Sequence, residues 1–212
     1  MNFELYVITD ETIAGGRSHA DIAQRALRGG ADVIQLRDKG RSCAELARVG
    51  REIAAIIRKA GAVFIVNDRL DVAIACGADG VHLGQDDMRL STARQLAPPG
   101  FIIGISVGTV AEAIDAEREG ADYIALSPTF STISKEDAGC GHGLERLREI
   151  RRAVSLPLVA IGGINRHNAR DVIAAGADGI AVISAVVASP DITSAARELK
   201  DLVQESKRSF GC

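Results

Sequence analysis

Two cations two residues apart, Arg37 and Lys39, close the run Gln35-Leu36-Arg37-Asp38-Lys39. A planar guanidinium and a flexible ammonium side by side suit a diphosphate, the first as a fork and the second as a point charge. Charges in such a position also fit a salt-bridged surface loop. Two further segments end in carboxylates, Asn67-Asp68 and Gly84-Gln85-Asp86-Asp87. Carboxylates converging from neighbouring segments invite a hard cation, because Mg²⁺ takes one or two of them and fills its shell with water and phosphate oxygens. Helix N-capping is the competing use of Asp68 and Asp87, since each precedes a helical stretch.

Ser127 to Lys135 carries hydroxyls and a lysine on one long connection, and a Gly- and charge-rich stretch follows to Gly143. Such a segment fits a phosphate-closing lid or an ordinary polar loop. Gly162-Gly163-Ile164 and Ile183-Ser184-Ala185 can present backbone N–H groups to a phosphate. His19 and His167 stand near helix starts and His142 in the long loop, and all three read as surface polar groups. His82 fits either a satisfied interior residue or a pocket residue. No Ser-His-Asp or Cys-His nucleophile arrangement is present in the sequence.

The elements that must position these residues follow from a repeat. Gly-Ala-Asp occurs at 30–32, 77–79, 120–122 and 176–178, each time after a helical pattern and before a short apolar run. Glycine there ends a helix and the chain re-enters a sheet. The runs are 33–36, 80–83, 123–126 and 179–182, and four more candidates, Leu5 to Ile8, Val63 to Val66, Ile102 to Ile105 and Leu158 to Ile161, alternate with them. Eight strands separated by helices predict an α/β fold, a single (β/α)₈ TIM barrel, with the active site at the strand C-termini. A doubly wound open sheet competes, but no G-x-G-x-x-G follows the first strand. A last helix, Ile192 to Glu205, packs outside, and 206–212 reads as a frayed tail.

A chain of 212 residues with 47% hydrophobic content fits one domain spanning 1–212. A net charge of -3 gives no basic footprint for nucleic acid or anionic lipid, so the expected partners are small molecules. Cys43, Cys76, Cys140 and Cys212 show no metal-ligand or disulfide spacing. No segment has the length of a membrane span and no signal sequence is evident, so a cytoplasmic location is expected.

Taken together the motifs resemble thiamine-phosphate synthase, from Tyr6-Val7-Ile8-Thr9-Asp10 through Ile183-Ser184-Ala185. Those that carry the resemblance are Gln35-x-Arg37-x-Lys39, Val66-Asn67-Asp68, His82 through Asp87, Gly104-Ile105-Ser106, the Thr132/Ser134/Lys135 loop and Ile161-Gly162-Gly163-Ile164. Their order and spacing are specific where each alone is weak. The resemblance implies that Gln35, Leu36, Arg37, Asp38, Lys39, Asn67, Ser106 and Lys135 contact an aminopyrimidine diphosphate. It implies Mg²⁺ on Asp68 and Asp87, and a thiazole phosphate on Thr132, Ser134, Gly163, Ile183 and Ser184, with Ile133 among the substrate contacts. Arg37, Lys39, Ser106 and Lys135 carry the catalytic expectation, and a homodimer is a family-level expectation.

Two departures stand out. Gly108 replaces a histidine common in relatives, and Ser134 replaces threonine while keeping the hydroxyl. The glycine weighs against the related thiazole tautomerase, which relies on that histidine and typically lacks the paired carboxylates. A catalytically silent barrel that binds a thiamine precursor is the third reading, and the full set Arg37, Lys39, Asp68, Asp87 and Lys135 argues against it.

Overall fold

The computed structural model describes residues 2–132 and 141–210. Among them the first half alternates β1 (Leu5–Thr9), α1 (His19–Arg28), β2 (Val33–Leu36), α2 (Cys43–Ala60), β3 (Val63–Asn67), α3 (Leu70–Cys76), β4 (Gly80–Leu83) and α4 (Leu90–Leu96). The second half continues with β5 (Ile102–Val107), α5 (Val110–Arg118), β6 (Tyr123–Leu126), α6 (Gly143–Ala153), β7 (Leu158–Ile161), α7 (Ala169–Ala174) and β8 (Gly179–Val182). A short α8 (Ser184–Val187) and a long α9 (Ile192–Phe210) complete it. The strands pair in sequence order, all parallel, and β1 closes on β8. The fold is the (β/α)₈ barrel that the repeat predicts.

The repeat has a physical job at each copy. Gly30, Gly77, Gly120 and Gly176 all take positive φ, between 72° and 103°, which is open to glycine without a Cβ penalty. The following alanine then donates its N–H back to the helix, as in Ala121 N to Ala116 O at 2.9 Å and Ala177 N to Val172 O at 3.3 Å. Those bonds make a Schellman stop at the end of α1, α3, α5 and α7. The aspartate binds the preceding strand. Asp32, Asp79, Asp122 and Asp178 accept from the backbone N–H of Leu5, Phe64, Ile103 and Leu158 at 2.7 to 2.9 Å. One tripeptide thus ends a helix, starts an even strand and pins the odd strand before it.

Side chains alternate across each strand with period two. Leu5, Val7, Ile34, Leu36, Phe64, Val66, Val81 and Leu83 face the helices. Tyr6, Ile8, Val33, Ile65, Tyr123, Val159 and Ala181 fill the barrel interior.

Two expectations are corrected. Ser206 is not in a frayed tail: α9 runs to Phe210, and Ser206 is buried with its Oγ donating to Leu202 O at 2.6 Å. His19 is not a surface residue. It is 1% exposed, with Nδ1 2.7 Å from Thr9 Oγ1 and Nε2 3.3 Å from Asp38 Oδ2.

Candidate active site

The C-terminal ends of β2 to β6 surround a cavity of about 350 Å³, a size suited to a small ligand. Arg37 and Lys39 enter it from β2, Asn67 and Asp68 from β3, His82 and Asp87 from β4, and Ser106 from β5. Ser127 and Pro128 after β6 form part of its wall, and the same two residues wall an adjoining pocket with Thr132, Gly162, Gly163, Ile183 and Ser184. The two sites share a partition.

That partition explains the glycine pair. Thr129 N donates to Ile161 O at 2.6 Å and Phe130 N to Gly162 O at 3.0 Å, which draws the loop after β6 onto the end of β7. A Cβ at Gly162 would meet Pro128 at 2.6 Å, and one at Gly163 would meet Ser131 O at 2.7 Å. Only glycine admits so close a backbone approach.

The charges on the rim are mixed. Arg37 Nη1 lies 3.3 Å from Asp10 Oδ2, a partner on the turn after β1. Asp38 turns away from the cavity: it takes the Gly40 N–H at 2.8 Å, His19 at 3.3 Å and Arg41 at 3.1 Å. Burial raises the Asp38 carboxyl, but the Gly40, His19 and Arg41 contacts outweigh it and hold its pKa below the ordinary value.

The helix-capping use of the two carboxylates is not what forms. Arg69 and Arg89 precede α3 and α4, neither with a side-chain cap bond. Asp68 instead sits at φ 63°, a conformation uncommon outside glycine and often found where function sustains strain. Asp87 Oδ2 accepts from Gly84 N at 2.7 Å and so closes a tight turn within the cavity wall.

A profile described as Thiamine monophosphate synthase matches residues 5–186. The chain belongs to the thiamine monophosphate synthase family. It is 62% identical over 210 residues to the thiamine-phosphate synthase of Methanoregula boonei, covering 99% of this chain and 97% of that relative. A solved structure of the thiamine phosphate pyrophosphorylase from Pyrococcus furiosus superposes with TM-score 0.90 at 44% identity, covering 96% of each chain. A 3-hexulose-6-phosphate synthase, at 17% identity and TM-score 0.68, shares the fold alone. As a member of this family the chain is an enzyme, a transferase acting on small molecules.

Six residues to which the synthase resemblance gives a role, Arg37, Lys39, Asn67, Asp68, Asp87 and Ser106, line the first cavity, and His82, read as either interior or pocket, lines it with them. Thr132, Gly163, Ile183 and Ser184 line the second. Gln35 lies within the barrel, 2% exposed, and Leu36 points its side chain to the helices. Ile133, Ser134 and Lys135 fall outside the described residues. A Cβ on Gly108 would meet His142 Nε2 at 2.8 Å, so the His142 ring takes up the volume beside Gly108.

The donor chemistry fits the magnesium that synthases of this family are expected to use. Among the described residues no three His, Cys, Asp or Glu side chains gather as a metal cage. Two carboxylates from adjacent strands, Asp68 and Asp87, face one cavity, which is the protein share that Mg²⁺ takes when phosphate and water complete its shell.

Sequence reasoning missed Asp10, Tyr6 and Tyr123. Asp10 carries a signal as the charged residue directly after β1. The tyrosines carry one too, because a phenol at an interior strand position needs a polar partner.

Proposed function

We propose that the chain condenses 4-amino-2-methyl-5-(diphosphooxymethyl)pyrimidine with a 4-methyl-5-(2-phosphooxyethyl)thiazole, carboxylated or not, releasing pyrophosphate, and CO₂ where the thiazole is carboxylated, and forming thiamine phosphate. One observation carries this reading: two adjoining pockets, one cationic and carboxylate-bearing and one glycine-rich, meet at Ser127 and Pro128. A thiazole isomerase would fill the glycine-rich pocket and have no use for the cationic, carboxylate-bearing one.

Arg37 and Lys39 bind the diphosphate and orient its bridging oxygen, with Lys135 contributing from the loop. Asp68 and Asp87 would hold Mg²⁺, which when bound supplies charge neutralisation for the departing pyrophosphate. The aminopyrimidine ring stabilises the methylene cation left as the C–O bond breaks, and the thiazole nitrogen attacks it. The N–H groups around Gly163 and Ser184, with Thr132, fix the thiazole through its phosphate. No protein nucleophile takes part. Ser106 faces the reacting pyrimidine. Among the described residues no helix is long and apolar enough to cross a membrane, and the free thiols Cys43 and Cys76 suit a reducing cytoplasm.

The test is pyrophosphate release by the purified protein, with each substrate and Mg²⁺ omitted in turn. Release that needs all three, with thiamine phosphate formed in equal amount, is expected. Turnover of a thiazole substrate without diphosphate or metal would move the chain to the tautomerase reading.

A further inference from the structure

Behind the cavity wall, five side chains from five strands are joined in one line. Gln35 Nε2 donates to Tyr6 Oη at 2.7 Å, and Tyr6 Oη lies 3.0 Å from Tyr123 Oη. Tyr123 Oη lies 2.9 Å from His82 Nδ1, and His82 Nε2 lies 2.9 Å from Ser106 Oγ. Gln35, Tyr6, Tyr123 and His82 are buried, and the line surfaces at Ser106 in the cavity.

The direction of these bonds follows from counting protons. An amide nitrogen only donates, so Tyr6 accepts from Gln35 and gives its one proton to Tyr123. Tyr123 in turn gives its proton to His82 Nδ1. An imidazole that accepts at Nδ1 carries its own proton on Nε2 and donates it to Ser106 Oγ. The Ser106 proton is then directed away from the ring. Burial raises the pKa of both phenols well above the ordinary value, which keeps both as donors.

Turning the Gln35 amide over would reverse every bond in the line. As placed, the amide leaves Gln35 Oε1 buried and, among the described residues, without a partner. The reversed amide would orphan an NH₂ group instead, and buried N–H groups are left unpaired more rarely than carbonyl oxygens. The placed direction is therefore favoured.

We propose that Tyr6, Tyr123 and His82 are positioning residues whose common hydrogen-bond direction, set at Gln35, holds the Ser106 hydroxyl as a donor to an acceptor atom of the bound substrate. The substrate half of this inference rests on the cavity reading given above. The direction of the line does not.

The experiment reads the proton on His82 by NMR of the ¹⁵N-histidine-labelled full chain, free of ligand, with His82→Gln identifying the signal. A protonated Nε2 and bare Nδ1 are expected, and a proton on Nδ1 would overturn the proposal. Tyr123→Phe removes the proton that Nδ1 accepts, so either tautomer then leaves one ring nitrogen unpaired and His82 should become a mixture of the two. In the same variant kcat should fall by about two- to tenfold, the worth of one hydrogen bond, with KM for both substrates within about twofold. An unchanged tautomer in Tyr123→Phe also overturns the proposal, and should that variant not fold, the tautomer of the unaltered chain decides. Mixed tautomers with unchanged kcat would overturn the link to substrate. Absence of pyrophosphate release by the unaltered chain would overturn the cavity reading separately.

Discussion

A Cβ built on Gly104 would stand 2.5 Å from Tyr123 Oη and closer still to the ring carbons, so these two residues, partners in register across β5 and β6, share one space. The missing side chain at 104 is what lets the Tyr123 ring lie flat enough to reach both Tyr6 and His82. Gly104→Ala should cost about 1–3 kcal/mol, as overpacking does, and should lower turnover by displacing the phenol. Adding Tyr123→Leu should recover stability and not activity. Thermal denaturation of the two variants checks this, and an unshifted midpoint for Gly104→Ala would show that the space is not shared.

The aspartates of the repeat should behave as structural groups. Asp122 Oδ2 takes the Ile103 N–H at 2.7 Å and Arg94 at 2.7 Å, at the barrel end opposite the cavity. Asp122→Ala leaves a buried N–H without its acceptor, at about 1–3 kcal/mol. Urea unfolding should show that loss while kcat at a temperature well below the transition stays unchanged. A catalytic defect in the still-folded variant would contradict this division.

Much of the architecture was legible because the repeat encodes it residue by residue. The four even strands have the bounds that their apolar runs set, since glycine, alanine and aspartate fix each start. Three odd strands run on past the predicted ends, to Thr9, Asn67 and Val107, because the backbone ladder continues where the apolar run has stopped. The sequence makes His19 look like a surface group because its partners, Thr9 and Asp38, lie on other elements and only the barrel brings them to it. Ser206 continues the buried stripe Ile192, Ala196, Leu199, Val203, but a serine hides that stripe from an apolar pattern. Of the site, the charged rim was visible as strand-end residues. The relay behind it was not, because its direction depends on protons shared between five strands.

Acid should loosen the attachment of α9. Burial raises the Glu4 carboxyl, but bonds from Lys200, Gln204 and Asn2 outweigh it and bring its pKa from 4.5 down to about 2. The folded value lies below the unfolded one, so this contribution to stability is full above pH about 4.5 and is lost as the pH falls through about 2. Lys200 also binds Asp32 at 2.7 Å, which ties β1, the start of β2 and α9 together. Glu4→Gln should be less stable than the unaltered chain at neutral pH and should lose less across that acid window. Urea midpoints measured on both sides of the window check it, and parallel pH curves for the two proteins would rule the linkage out.

The metal assignment separates two neighbouring aspartates that line the same cavity, Asp86 and Asp87. Asp87 has a structural duty as well, its bond to Gly84 N at 2.7 Å, so an alanine there would confuse a broken turn with a lost ligand. Asp87→Asn keeps an oxygen for that bond and removes only the charge. It should therefore unfold at the same temperature as the unaltered chain. Its turnover should fall by more than the roughly 10–100-fold typical of residues that merely support a metal ligand, with part of the loss recovered by raising Mg²⁺. Asp86→Asn should change turnover by no more than a few-fold, because the Mg²⁺ reading rests on Asp68 and Asp87. Kinetics as a function of Mg²⁺ concentration for both variants decide between them: a severe defect in Asp86→Asn with a mild one in Asp87→Asn would transfer the ligand role to Asp86, and mild defects in both would remove the metal from this wall of the cavity.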